Sequence, residues 1–136
     1  MTPILRGVRH IGVAVRDLDA AARVYAEAFG VEVRHHPRSD SEGLRAASFR
    51  IGEVEIELME ALRDDSPVGR FIAKRGEGVH HIAYAVEDVG EALSAAREAG
   101  LEPLDVAPRE GLDGTRIAFI HPKSVNGVLT ELVQDG

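Results

Sequence analysis

Apolar and polar positions alternate in short runs along most of this 136-residue chain, and a helical period interrupts the alternation twice. The runs "VRHIGVAV" (8–15), "LRAASFRI" (44–51), "VEIELMEA" (54–61), "VHHIAYAV" (79–86), "TRIAFI" (115–120) and "VLTELVQ" (128–134) predict strands, with "VEVRHH" (31–36) and "LEPLDV" (101–106) completing the set. In "DLDAAARVYAEAFG" the residues Leu18, Ala21, Ala22, Tyr25 and Phe29 recur at helical spacing between a candidate N-cap, Asp17, and a stop at Gly30. "DVGEALSAAREAG" repeats the design: Asp88 and Glu91 stand at capping-box spacing, Val89, Ala92, Leu93 and Ala96 form the apolar stripe, and Gly100 ends it.

The order of elements is itself repeated. Val8–Ala21 aligned on Val79–Ala92 is identical at seven of 14 positions. Each helix is followed by three strands, so the chain reads as two tandem βαβββ modules of an α+β protein. Their boundaries are about 5–61 and 79–134, inside one domain spanning 1–136. The polar joint 62–78 carries a short helical segment near 67–75. Two units of this size are too few and too large for a solenoid, so pairing of their sheets into one curved, open, eight-stranded mixed sheet is expected.

Period two also sorts the side chains. Ile11, Val13 and Val15 share one face of the first strand and suit packing under a helix, whereas Val8, His10, Gly12 and Ala14 share the other. In the repeat, Ile82, Tyr84 and Val86 oppose Val79, His81, Ala83 and Ala85. Each histidine thus lies among glycine and alanine, where a packed core would carry bulk. The last strand of each module adds an acid: Glu57 opposes Ile56 and Leu58, and Glu131 shares its face with Leu129 and Val133. A carboxylate among apolar neighbours is costly unless paired or bound to a metal. The histidines are 71 residues apart and the glutamates 74, so His10, Glu57, His81 and Glu131 form a His₂Glu₂ set at matching places of a duplicated unit. Imidazole with carboxylate suits Zn²⁺, Co²⁺, Ni²⁺, Mn²⁺ or Fe²⁺. Among the other candidates, His80 is expected to point outward, His35 and His36 to form a solvated strand end, and Glu60 to be a solvated end residue. His121 is open between facing a ligand and facing solvent.

Composition narrows the alternatives. The absence of cysteine removes disulfides, thiolate metal sites and cysteine nucleophiles. A net charge of −7 disfavours nucleic acid and anionic membrane as main partners, while Arg109, Arg116 and Lys123 can supply a local positive field for a small anion. No apolar run approaches the roughly 20 residues of a membrane span. The opening "MTPILRGVRH" lacks a signal-peptide layout, so a cytoplasmic protein is expected.

The phrases "HIGVAVRDLDAAARVY", "DSPVGRFI", "GEGVHHIA" and "HPKSVNGVLTEL" resemble the vicinal oxygen chelate superfamily of glyoxalase I, extradiol dioxygenases and bleomycin-resistance proteins. Within it they resemble the methylmalonyl-CoA epimerase family over nearly the whole chain. The resemblance implies a glyoxalase-like fold and an isomerase that interconverts (2R)- and (2S)-methylmalonyl-CoA through a metal-stabilised enolate. It implies His10, Glu57, His81 and Glu131 as ligands of a divalent ion, Co²⁺ first, with Zn²⁺, Ni²⁺, Mn²⁺ or Mg²⁺ as other occupants. It also implies an acyl-CoA partner, for whose anionic groups Lys123 is the candidate contact, and a homodimer. One position departs: where some members carry a glutamate base within "QGV-x-E", this chain has "EGLRA", placing Ala46 there. Glu131 and Glu57 are then the acid–base candidates. Alternatives are a glyoxalase I-type lactoylglutathione lyase and a metal-free binding protein of the same fold.

Overall fold

In the computed structural model, which describes residues 3–111 and 114–135, eight strands join in one mixed sheet in the order β2-β3-β4-β1-β5-β8-β7-β6. The strands are β1 (Gly7–Ala14), β2 (Arg34–His35), β3 (Leu44–Ile51), β4 (Val54–Ala61), β5 (Gly78–Ala85), β6 (Arg109–Glu110), β7 (Arg116–Ile120) and β8 (Leu129–Gln134). The α-helices are α1 (Leu18–Phe29), α2 (Pro67–Arg75) and α3 (Val89–Glu98). Around α2 the element order is βαβββ twice over, as the repeat predicts. Two compact units divide the chain, residues 10–80 and residues 1–9 with 81–136.

Within residues 10–80, β1 runs parallel to β4, and β3 lies antiparallel to β4 and to β2. The face carrying Ala47, Phe49 and Leu58, with Val15 just after β1, is buried under α1 through Leu18 and the half-buried Ala21 and Tyr25. Asp17 caps α1 by accepting from the Ala20 N–H, and Gly30 ends it in the left-handed conformation at φ 67°, as the sequence predicts. On the opposite face α2 seats Val68, Phe71 and Ile72 against Ala14, Ala46 and Met59. Ser66 caps α2 by accepting from the Gly69 N–H, with Pro67 opening its first turn.

Within the second unit, β5 runs parallel to β8, and β7 is antiparallel to β8. Val86, Val89, Leu93 and Ala96 pack with Ala118, Ile120 and Leu132 to bury the apolar stripe of α3. Asp88 caps α3 by accepting from the Glu91 N–H.

Two strand expectations shrink. β2 is confined to Arg34–His35, although His36 extends its ladder by donating its N–H to the Ala46 carbonyl. "LEPLDV" is no strand: Pro103 lacks an N–H, and only a bridge to Ile120 forms. The Asp105 side chain instead accepts from the Phe119 N–H at 2.7 Å, taking the place of a backbone carbonyl. The strand that pairs with β7 lies further on, at Arg109–Glu110, in a stretch whose composition reads as a turn, "PREGLDG" (108–114), of which Leu112 and Asp113 lie outside the described residues. Among the described residues no helix is long and apolar enough to cross a membrane.

Candidate active site

Residues directly opposite each other in a ladder project to the same side of a sheet. In residues 10–80 the pairs Gly12↔Glu57, Ser48↔Glu57, Ala14↔Met59 and Ala46↔Met59 therefore define a face that also carries His10 and Glu55. The α2 cluster covers the end of this face marked by Ala14, Ala46 and Met59. The other end is polar, with His10 and Glu57 half-buried, Gly12 buried and bare of side chain, and Ser48 buried.

In the second unit the pairs Ala83↔Glu131 and Phe119↔Glu131 place His81, Ala83, Phe119 and Glu131 on one face. His81 Nε2 lies 3.5 Å from Glu131 Oε1, with side chains only 7% and 9% exposed. The Phe119 ring meets the His81 ring edge-on at 6.2 Å, and the Arg109 guanidinium sits 5.4 Å over the Phe119 ring. Arg109 is itself held by Asp105 at 3.0 Å. An imidazole and a carboxylate are thus fixed in apolar surroundings, where polar groups are stable only with a partner.

His10, His81 and Glu131 each offer a ligand atom within 4.8 Å of the other two. Donors held about 2.0–2.2 Å from a common ion lie no more than roughly 4.4 Å apart, so small side-chain rotations suffice to bind one. Two imidazoles and a carboxylate match the borderline and hard divalent ions. The donor set fits a divalent metal ion. Glu57 stands outside that group of three, on the face of His10. Lys123 is exposed in a 3₁₀ turn, Pro122–Ser124, that follows β7.

The other candidates have structural roles. His121 caps that 3₁₀ turn, its Nδ1 accepting from the Lys123 N–H at 3.0 Å. His80 is no outward residue: its half-buried ring packs edge-on against Phe71 at 5.0 Å, and burial lowers its pKa from the ordinary histidine value. Glu60 is not merely solvated. It accepts from the Leu18 N–H at 3.0 Å and from Arg45 Nε at 3.1 Å, so it both caps α1 and forms an ion pair. Gln134 does the same in the repeat, accepting from the Val89 N–H at 3.0 Å. The signal was present in the chain, since Glu60 and Gln134 each follow a candidate site glutamate by three residues. His35 is exposed, as expected of a strand end, but His36 is half-buried with Nε2 2.6 Å from the hydroxyl of Ser48.

Comparisons with known proteins agree with this architecture. Residues 9–119 match the glyoxalase/bleomycin resistance protein/dioxygenase superfamily. The ethylmalonyl-CoA/methylmalonyl-CoA epimerase of Cereibacter sphaeroides is 36% identical over 93% of this chain and 96% of its own. A variant of the Streptomyces coelicolor methylmalonyl-CoA epimerase, solved with 2-nitronate-propionyl-CoA, superposes with a TM-score of 0.87 at 42% identity, covering 97% of this chain and 99% of that one. A methylmalonyl-CoA epimerase solved with methylmalonyl-CoA and NH4+ also gives a TM-score of 0.87 at 42% identity, covering 97% of this chain and 96% of that one. The family match over residues 9–119 and these relatives, alike over nearly their whole length, show that the chain belongs to the glyoxalase/bleomycin resistance protein/dioxygenase superfamily, within it to the family of the methylmalonyl-CoA epimerases.

Proposed function

We propose that this protein is an epimerase that interconverts (2R)- and (2S)-methylmalonyl-CoA. The observation that carries the reading is the convergence of His10, His81 and Glu131 in a chain whose relatives are named for this reaction. The α-carbon of the substrate lies between a thioester and a carboxylate. Its proton is acidic because the electron pair left behind delocalises into the thioester carbonyl. Inversion needs removal of that proton on one face and return of a proton on the other, so groups able to exchange protons must flank the carbon.

His10, His81 and Glu131, with Glu57 as a fourth donor, would hold the divalent ion, cobalt being the occupant that the resemblance implies. When bound, such an ion supplies Lewis-acid stabilisation of negative charge that develops on substrate oxygens. The rest falls to the chain. His81 and Glu131 are held rigid among Leu129, Val133 and Phe119, which excludes water and strengthens every polar contact. Glu57, half-buried beside Ser48, is reachable by solvent and suits proton exchange at C2. Glu131 is the second carboxylate available to C2. Lys123, exposed in its turn, gives the anionic part of CoA a cation despite the net negative charge.

The test is proton NMR of (2R,S)-methylmalonyl-CoA in D₂O with cobalt-loaded protein. Loss of the α-hydrogen signal well ahead of a protein-free control is expected. A signal that matches the control over hours would defeat the proposal, and turnover of the methylglyoxal–glutathione hemithioacetal instead would favour a lyase.

A further inference from the structure

An epimerase needs a proton-exchanging group on each face of its carbon, and this chain has only Ala46 at a position where the resemblance offers a glutamate. We infer that His36, in place of the Glu57 considered above, is the second group: the imidazole that exchanges a proton with C2 of the substrate from the β2–β3 edge of the site. The inference rests on the epimerase reading above.

The argument begins from the ladder. β2 and β3 pair with Arg34 opposite Ser48 and His35 opposite Ala47. The bond from the His36 N–H to the Ala46 carbonyl, 2.9 Å, carries this register one residue further and sets His36 opposite Ala46. Opposed residues share a side of the sheet, so His36 projects to the face of Ala46, Ser48, Glu57 and His10, away from α1. Val68, Phe71 and Ile72 of α2 close the Ala46 end of that face with apolar atoms. The ring is drawn the other way, with Nε2 2.6 Å from Ser48 Oγ. Ser48 is 2% exposed and stands directly opposite Glu57, so the ring is anchored to a rigid point at the polar end of the face. A half-buried imidazole with one nitrogen held by a fixed hydroxyl keeps its second nitrogen for another partner. Imidazole is also the side chain most often used for general acid–base work.

The step balances without an added reagent. The C2–H bond breaks, its proton forms an N–H bond on the imidazole, and the electron pair enters the thioester. A proton delivered to the opposite face of C2 completes inversion. The imidazolium then passes its proton to solvent, while the group on the other face regains one. In the reverse direction the imidazolium is the donor.

His36→Gln tests this, because glutamine can still hydrogen-bond Ser48 but cannot take the proton. Each pure epimer is incubated in D₂O with metal-loaded enzyme, following epimerisation and α-hydrogen exchange separately. Epimerisation is expected to fall at least about 100-fold with KM within a few-fold of the parent. Exchange persists from only one epimer, because the group on the other face still works. Metal affinity and melting temperature should stay at parental values. Adding Ala46→Glu to the His36→Gln variant puts a carboxylate on the same face and is expected to restore epimerisation. Epimerisation within threefold of the parent, equal loss of exchange from both epimers, or weakened metal binding would each overturn the assignment. Failure of the Ala46→Glu addition to restore any turnover also counts against it. If the parent enzyme neither epimerises nor exchanges, the epimerase reading itself falls, and His36 with it.

Discussion

Glu60 and Gln134 occupy equivalent places in the two repeats, and each accepts from the first N–H of the helix that follows the module's first strand. Four N–H groups at a helix start have no intrahelical partner, and that of Leu18 belongs to a residue only 2% exposed. Glu60→Ala would leave this donor without its acceptor, at about 1–3 kcal/mol. It would also break the ion pair with Arg45, whose side chain is 35% exposed against 21% for Glu60, so solvent screening makes that loss the smaller one. The expected loss is therefore set by the unsatisfied donor, about 1–3 kcal/mol. Glu60→Gln keeps an acceptor, and the native Gln134 demonstrates that an amide oxygen reaches the corresponding N–H at 3.0 Å. Only the ion pair and a helix-dipole contribution disappear, so this variant should lose about 1 kcal/mol. Gln134→Ala should resemble Glu60→Ala less the ion pair. Equilibrium urea unfolding reads these differences, with exposed Glu53→Ala as the control expected within about 0.5 kcal/mol of the parent. The reasoning is refuted if Glu60→Ala costs no more than the control. It is equally refuted if Glu60→Gln is as damaging as Glu60→Ala, since charge and not the hydrogen bond would then be the cause.

Chelator treatment followed by Co²⁺ at a hundredfold excess over its Kd should raise stability by about 2.7 kcal/mol. For a chain this size that is roughly 8 °C in differential scanning calorimetry. His81→Ala should abolish the rise. Lys123→Ala should raise KM for the acyl-CoA about three- to fivefold with little change in kcat, and the difference should shrink at high salt. Gly69→Ala should destabilise by about 2 kcal/mol or more in urea titration, because a Cβ there would overlap the backbone carbonyl of Arg63 in the turn before α2.

Strands β3 and β4 were legible to the residue, because turns bound both and α1 covers one face, while the other carries Ser48, Glu55 and Glu57 beyond the end that α2 covers. The helix ends were equally plain, since aspartate caps and glycine stops act locally. The face of each candidate ligand followed from alternation alone. Three things did not. "LEPLDV" had the composition of a strand, but although the Leu104 N–H donates to the Phe119 carbonyl, the Phe119 N–H donates to the Asp105 side chain, a long-range substitution that no local pattern encodes. Glu60 looked solvated because its partners, Leu18 and Arg45, are distant in sequence. His36 looked like a strand end because the bond to Ser48 depends on the β2–β3 register, and two ladder residues specify that register only weakly in the sequence.

The duplication also explains why two copies of one motif need not do the same work. In the second unit His81 and Glu131 are both buried, flanked by Leu129, Val133 and Phe119, a setting that favours tight, desolvated ligation and slows proton exchange with water. In residues 10–80 the matching His10 and Glu57 are only half-buried, beside the hydroxyl of Ser48 and the face occupied by His36. Proton transfer needs groups that can regain or shed a proton through solvent after each turnover, whereas metal retention needs groups that cannot easily be hydrated. On the proposed reading, this contrast in burial suits His81 and Glu131 to metal retention and the face of Glu57 and His36 to proton exchange. Ser48→Val, which removes a polar neighbour of Glu57 and the anchor of His36 together, should leave metal binding in calorimetry largely intact while slowing α-hydrogen exchange. Loss of metal with unchanged exchange would reverse the assignment.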